Sequence, residues 1–142
     1  MSKTALLFFL AMVLMVSSVF AADNSLDRGD QPVILTGDQL PSLIGTQIDG
    51  LSVFAKTGGV ISPIPFQIDQ KDEAGDYAFT GGELTTDPNP NFDGNDELVF
   101  LISDSGAKAA EKELPVCGGQ VLEVQLSDAG GSGWVYILDF GG

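Results

Sequence analysis

The sequence predicts an all-β fold: a single β-sandwich of immunoglobulin-like architecture with about seven short strands, or alternatively a small β-barrel. Two observations support this fold class. Short apolar or alternating runs recur along the chain, separated by clusters of Gly, Pro, Asn and Asp that favour turns. Only one stretch, residues 107–113 (AKAAEKE), has the composition of a helix, and it is short.

The first half of the chain supplies three extended segments and one helical turn. Residues 32–36 (PVILT) are a short apolar strand, and residues 41–45 are predicted to form a single helical turn. Residues 51–56 (LSVFAK) read as a strand that ends at a Gly-Gly pair. Residues 60–69 (VISPIPFQID) are extended, but their prolines lack the N–H that a central strand donates, so an edge strand or a polyproline-like path is expected.

The second half begins with a predicted hairpin. Residues 71–76 (KDEAGD) have hairpin-loop chemistry, and residues 77–79 make the short return. The apolar run at residues 97–103 (ELVFLIS) is the strongest candidate for a buried strand. Leu and Val alternate with Glu and Gln over residues 121–126, and Trp, Tyr, Leu and Phe share one face over residues 134–140.

Composition excludes several classes of function. The 142 residues contain no His and a single cysteine, Cys117, which rules out imidazole-based catalysis, an intramolecular disulfide and a four-Cys zinc site. Six basic and 20 acidic residues give a net charge of −14, which disfavours nucleic acid and anionic membrane surfaces. Residues 1–21 hold one base and no acid, so the remaining five bases and 20 acids give residues 22–142 a charge of −15.

The N-terminus has the pattern of a secretory signal peptide. Lys3 precedes an uncharged apolar run at residues 5–16, and Val19 and Ala21 fit a cleavage motif. An uncleaved anchor is the competing interpretation, because the uncharged stretch is near the shortest length for a membrane span. Cleavage would leave no stable span and would place the protein in the periplasm, at the cell surface or outside the cell.

Three regions follow from this pattern. The predicted organisation is a signal peptide at residues 1–21, a flexible leader at residues 22–31 and a β-sandwich domain at residues 32–142. The sequence stops two residues after a strongly apolar strand. This pattern fits two interpretations equally: a domain that ends on a core strand, or the N-terminal part of a longer protein.

The segment 87–97 (DPNPNFDGNDE) is the best candidate for a metal site. Oxygen-bearing side chains at alternate positions, followed by Gly94, match the start of an EF-hand-type calcium loop. The predicted calcium ligands are Asn89, Asn91, Asp93, Asn95, Asp96 and Glu97. The match is partial, because Phe100 stands where a bidentate Glu belongs, and the same residue types also form ordinary turns. Calcium is attractive because it would relieve the acidic repulsion and stabilise an exported domain that has no disulfide.

Three weaker candidates accompany this loop. Carboxylates cluster in a second loop, where they could complete a cation site, form a polar binding rim or simply be solvated: Asp69, Asp72, Glu73 and Asp76. The aromatic side chains are predicted to pack in the core, with a sugar-stacking platform as the alternative. Cys117 is predicted to be a buried or incidental thiol, or to cross-link two chains if it is exposed.

The order of several short motifs resembles the N-terminal region of a group of large exported bacterial proteins of unsettled function. The matching segments are residues 51–54, 63–69 (PIPFQID), 72–77 (DEAGDY) and 95–100 (NDELVF), followed by Asp104. The likeness spans roughly residues 32–140. It implies an exported β-rich module at the start of a longer chain, and it transfers no catalytic residue.

The functional expectation is an exported, non-enzymatic β-sandwich module, stabilised by calcium. Its role would be to bind a glycan or a protein at the cell surface or outside the cell, or to act as a structural or assembly subunit that self-associates through terminal strands. The alternative is a carbohydrate-active enzyme that uses Asp and Glu, or the accessory domain of one.

Overall fold

The structure, a computed structural model, describes Leu26 and residues 29–79 and 89–142. The predicted signal peptide lies outside the described residues. The described part contains seven strands: β1 (Pro32–Thr36), β2 (Leu51–Thr57), β3 (Val60–Pro63), β4 (Gln67–Asp69), β5 (Glu97–Leu101), β6 (Val121–Asp128) and β7 (Gly131–Asp139). Its helical pieces are 3₁₀ turns of three residues: Gly37–Gln39, Pro41–Leu43, Ile48–Gly50, Ile102–Asp104 and Glu111–Glu113. The all-β prediction is confirmed.

The strands form two antiparallel sheets. One has the order β1-β5-β4 and the other has the order β3-β2-β7-β6. In the first sheet Leu98 of β5 lies opposite both Leu35 of β1 and Ile68 of β4. Leu98 and Phe100 are buried, which confirms the predicted buried strand, but the strand ends at Leu101 and the last two residues of the predicted run lie in a 3₁₀ turn.

The proline-rich stretch, residues 60–69, contributes one strand to each sheet. Its first part, β3, is an edge strand of the four-stranded sheet, and its last part, β4, is an edge strand of the three-stranded sheet. Between them Ile64 donates its N–H to the carbonyl of Val53, at 2.9 Å. Both pieces lie at edges, as the sequence predicts, and for β3, which ends at Pro63, the missing proline N–H is tolerated there.

Two hairpins build the four-stranded sheet. The β2–β3 turn uses Gly58 and Gly59, with φ of 57° and 80°, values that favour glycine and match the twist of a hairpin. The β6–β7 turn is closed by Asp128, whose Oδ1 accepts the N–H groups of Gly130 and Gly131 at 2.7 and 3.1 Å. The predicted alternation of β6 is confirmed: Leu122, Val124 and Leu126 pack against the core, and the Glu and Gln side chains between them are exposed.

One hydrophobic cluster draws on both sheets. It combines buried side chains of β2, β5 and β7 with residues of the connecting loops. Its buried members are Leu40, Leu43, Leu51, Val53, Phe92, Leu98, Phe100, Val135 and Ile137. Burial of this apolar surface is the main stabilising contribution to the fold.

The prediction of a helix at residues 107–113 is wrong. Ala107 instead donates its N–H to the carbonyl of Lys56, at 2.9 Å, and Ala109 donates its N–H to the hydroxyl of Tyr136, at 2.7 Å. Only Glu111–Glu113 turns, as a 3₁₀ piece. Helix-forming residues over so short a stretch have little intrinsic helicity, so tertiary hydrogen bonds decide the conformation.

The last strand is internal and not an edge. β7 lies between β2 and β6, so it is not a free edge that could add to a neighbouring chain's sheet. Self-association through other terminal strands stays a prediction. The face of β7 that carries Tyr136 and Leu138 packs in a second, smaller cluster with Ala109, Leu114 and Trp134. Within the described ranges, no helix is long and apolar enough to cross a bilayer.

Candidate functional site

The predicted calcium loop is built from consecutive side-chain-capped turns. Asn89 Oδ1 accepts the N–H of Asn91, and Asp93 Oδ1 accepts the N–H of Asn95, each at 3.1 Å. Asn and Asp favour such turns because their short side chains reach a backbone N–H two residues ahead. The alternating oxygens that resemble a calcium loop therefore also organise the backbone.

Asp96 stabilises this loop through hydrogen bonds from its buried carboxylate. Its side chain is fully buried, and its Oδ2 accepts the N–H of Asp93 at 2.9 Å. Its Oδ1 accepts the N–H of Lys71, in the other acidic loop, at 3.0 Å. A buried carboxylate is stabilised by such donors, so Asp96 holds the two loops in one arrangement.

The second predicted acidic cluster folds as a tight hairpin beside the first. Asp72 Oδ1 accepts the N–H groups of Ala74 and Asp76, both at 2.9 Å, and Gly75 has a φ of 86°. Asn95 Nδ2 donates to the main-chain carbonyl of Asp72 at 2.8 Å. We call residues 69–77 and 89–97 together the two-loop cluster. The structure thus brings together two groups of residues that the sequence identified separately.

Glu97 forms an ion pair and a side-chain hydrogen bond within the two-loop cluster. Its Oε1 forms an ion pair with Lys71 Nζ at 2.5 Å, and its Oε2 accepts the hydroxyl of Tyr77 at 3.1 Å. Lys71 Nζ also lies 4.7 Å from the centre of the Tyr77 ring, within cation–π range. Sequence reasoning missed Lys71 and Tyr77, because the loop pairing that brings them to Glu97 spans 26 and 20 residues.

The ion pair shifts both partners in opposite directions. The hydrogen bond from Lys71, with a further one from Tyr77, lowers the pKa of Glu97 below 4.5. The hydrogen bond to Glu97 raises the pKa of Lys71 above 10.5. A carboxylate with a lowered pKa in the folded state stabilises the fold above its unfolded pKa. That contribution is lost as the pH falls through the folded pKa of Glu97.

The predicted calcium ligands differ in how their oxygens are used. Both carboxylate oxygens of Asp96 and of Glu97 accept hydrogen bonds within the protein. Asn95 Oδ1, in contrast, is buried and has no hydrogen-bond partner among the described residues. No group of three or more acidic or Cys side chains in those residues is arranged to hold a metal. A metal here would therefore use amide and carbonyl oxygens as well as carboxylates.

The other predicted candidates were the aromatic side chains and Cys117. Tyr77 and Phe79 are about half exposed, at 48% and 55%, whereas Phe92 and Tyr136 are buried. Cys117 is half-buried, and its Sγ lies 3.7 Å from the carbonyl oxygens of Gly119 and Gln120. The aromatic residues thus divide between the core and the surface.

No protein-family model, curated protein or solved structure matches this chain. The function is therefore argued from the residues and their geometry.

Proposed function

We propose that the chain is an exported, non-enzymatic β-sandwich module that acts at the cell surface, in the periplasm or outside the cell. There it binds a glycan or a protein, or serves as a structural subunit. The signal-peptide pattern of residues 1–21 supports export. The single cluster of inner-face side chains from both sheets supports a sandwich arrangement. The resemblance of residues 32–140 to large exported bacterial proteins points the same way.

The two-loop cluster is the observation that supports a binding role best. Asp96 and Glu97 tie its two loops together, and Tyr77, together with Phe79 two residues further along the chain, stays about half exposed. Loops that are fixed by a scaffold and carry exposed aromatic rings suit stacking on a sugar or packing on a protein. The ring of Tyr77 is the proposed contact, and Glu97 and Lys71 hold that ring in position.

Retention of the protein in polysaccharide-containing gels tests the binding role. Tyr77→Ala is expected to abolish retention in the gel, because it removes the ring. Tyr77→Phe should keep most of the retention, because the ring is the proposed contact and the hydroxyl is used in a hydrogen bond to Glu97. Val60→Ala, at an exposed apolar residue of β3, is the matched control and should migrate like the unmodified chain. Equal retention of all four proteins would contradict the assignment of Tyr77. Shortening of the polysaccharide would favour the carbohydrate-active enzyme instead.

The same proposal includes calcium in the two-loop cluster. The proposed ligands come from Asn89, Asn91, Asp93, Asn95, Asp96 and Glu97, as the sequence predicts. The orphaned Asn95 Oδ1 supports this, since a buried oxygen without a donor is suited to a cation. A charge of −15 on residues 22–142 supports it as well, because a bound cation reduces the repulsion between acidic loops.

Thermal melting of residues 22–142 with Ca²⁺, Mg²⁺ or chelator tests the calcium part. Ca²⁺ at a hundredfold excess over its Kd would stabilise the folded state by about 2.7 kcal/mol, a rise of several degrees in the Tm. Asp93→Ala should abolish the rise. Asp93→Asn should weaken it while retaining the acceptor for Asn95, and Asp49→Asn, at an exposed residue outside the two-loop cluster, should not change it. An equal rise in Asp93→Ala and the unmodified chain would rule out this ligand set.

A further inference from the structure

A cavity of about 420 Å³ lies on the outer face of the four-stranded sheet, away from the two-loop cluster. Its floor is formed by β6 and β7, and residues 109–117 pass over it. Its lining includes Glu111, Leu114, Val116, Cys117, Val121 and Glu123. A volume of this size is within the range of small-molecule binding sites.

The segment over the cavity is anchored at both ends. At its start Gly106 exchanges two backbone hydrogen bonds with Trp134, at 2.9 and 3.0 Å. At its end Gly119 donates to the carbonyl of Asp139 at 3.0 Å. Between these points Glu113 forms an ion pair with Lys56 at 2.8 Å. These contacts hold the segment that lines the cavity against β2 and β7.

The walls of the cavity present apolar surface to solvent. Val116 is 96% exposed and Val121 is 47% exposed, and both face the same concave space with Leu114 and Pro115. Single exposed apolar side chains are common on protein surfaces, but several around one concavity mark a place where an apolar group can be buried. A short hydrocarbon group in this space would cover part of the exposed surface of both valines.

The charged groups at the cavity are predominantly acidic. Glu111 and Glu123 line it, and Tyr136 donates its hydroxyl to Glu123 Oε2 at 3.3 Å. Lys108 Nζ lies 3.2 Å from Glu123 Oε1, but the two side chains are 62% and 42% exposed, so this pair is weak. The excess of carboxylates therefore favours a ligand with a positive charge.

We propose that this cavity binds small organic cations in which a short apolar body carries a protonated amine. The apolar body packs against Val116 and Val121, and the amine lies beside Glu111 and Glu123. The inference goes beyond the proposed function and requires neither calcium nor Tyr77, because no residue of the two-loop cluster lines the cavity.

Cys117 provides a reporter for this site. It lines the cavity and is the sole cysteine of the chain, so its modification by N-ethylmaleimide reports on one place. The rate is measured with hexylammonium, hexanol and hexanoate, which share a six-carbon chain and differ in the charge of the head group. Hexylammonium is expected to protect Cys117 at about threefold lower concentration than hexanol, the scale of one exposed ion pair. Hexanoate should give no protection.

Charge variants complete the test. Glu123→Gln and Glu111→Gln should each reduce the advantage of hexylammonium over hexanol. Glu73→Gln, at an exposed acid in the other acidic loop, is the control and should retain it. Equal protection by all three compounds, no protection by any, or an unchanged preference in both cavity variants would overturn the proposal. None of these outcomes alters the calcium-dependent melt or the retention by polysaccharide, so failure of this site and failure of the proposed function are distinguishable.

Discussion

Replacement of Asp96 by alanine is expected to lower the free energy of unfolding by about 3 kcal/mol. The side chain is fully buried and accepts the N–H groups of Lys71 and Asp93. Its removal leaves two partly buried N–H donors without their acceptor, and each buried unpaired group costs about 1–3 kcal/mol. Denaturant unfolding with a chelator present measures the difference, so that any contribution of a bound cation is absent.

Two further variants bracket this result. Asp96→Asn keeps one oxygen acceptor but places an amide N–H₂ against the other donor, so a smaller loss of stability is expected. Asp49→Ala removes an exposed carboxylate outside the two-loop cluster and should change the free energy by less than about 0.5 kcal/mol. A loss in Asp96→Ala that occurs only when Ca²⁺ is present would contradict the hydrogen-bond role and would make Asp96 chiefly a metal ligand.

Replacement of Phe92 by alanine is expected to cost about 3–5 kcal/mol, the usual range for removing a buried aromatic ring. Phe92 is fully buried in the main cluster, although it lies in the middle of the Asp- and Asn-rich loop. Its backbone also pairs with the neighbouring segment: Phe92 donates to the carbonyl of Thr46, and Gly45 donates to the carbonyl of Phe92, both at 2.8 Å. The ring therefore anchors the loop to the core.

Phe79→Ala is the matched control for Phe92→Ala, because the same atoms are removed from a ring that is 55% exposed. Its effect on the free energy of unfolding should be below about 1 kcal/mol. Denaturant midpoints and slopes for both variants give the comparison, since an unchanged slope shows that the extent of unfolding is the same. Similar losses in the two variants would contradict the role of Phe92 as the anchor.

Local patterns predicted the strands well, because alternation and turn residues act within a few positions of one another. The alternation of β6 and the Gly58-Gly59 turn are visible in the sequence, and the structure places both as expected. The prolines of residues 60–69 likewise predicted edge positions, since a missing N–H is a property of the residue itself. Phe92, by contrast, lies in a polar loop, so no local pattern identifies it as part of the core.

The two-loop cluster was predictable in its parts and not as a unit. Its acidic residues and its turns follow from composition, but the ion pair of Lys71 with Glu97 depends on pairing between segments 26 residues apart. The predicted helix at residues 107–113 failed for a related reason. Its backbone donors bond to Lys56 and Tyr136, which the sequence does not place nearby.

The sequence by itself determined the fold class, the faces of the strands and the excess of negative charge. These properties depend on the side chains and their immediate neighbours. Only the tertiary structure decided which strands share a sheet, that β7 is internal, that Asp96 joins two loops and that a cavity forms beneath residues 109–117. Each of these depends on which distant segment covers a given face. That choice is made by the burial of apolar surface and the satisfaction of buried hydrogen bonds across the whole domain.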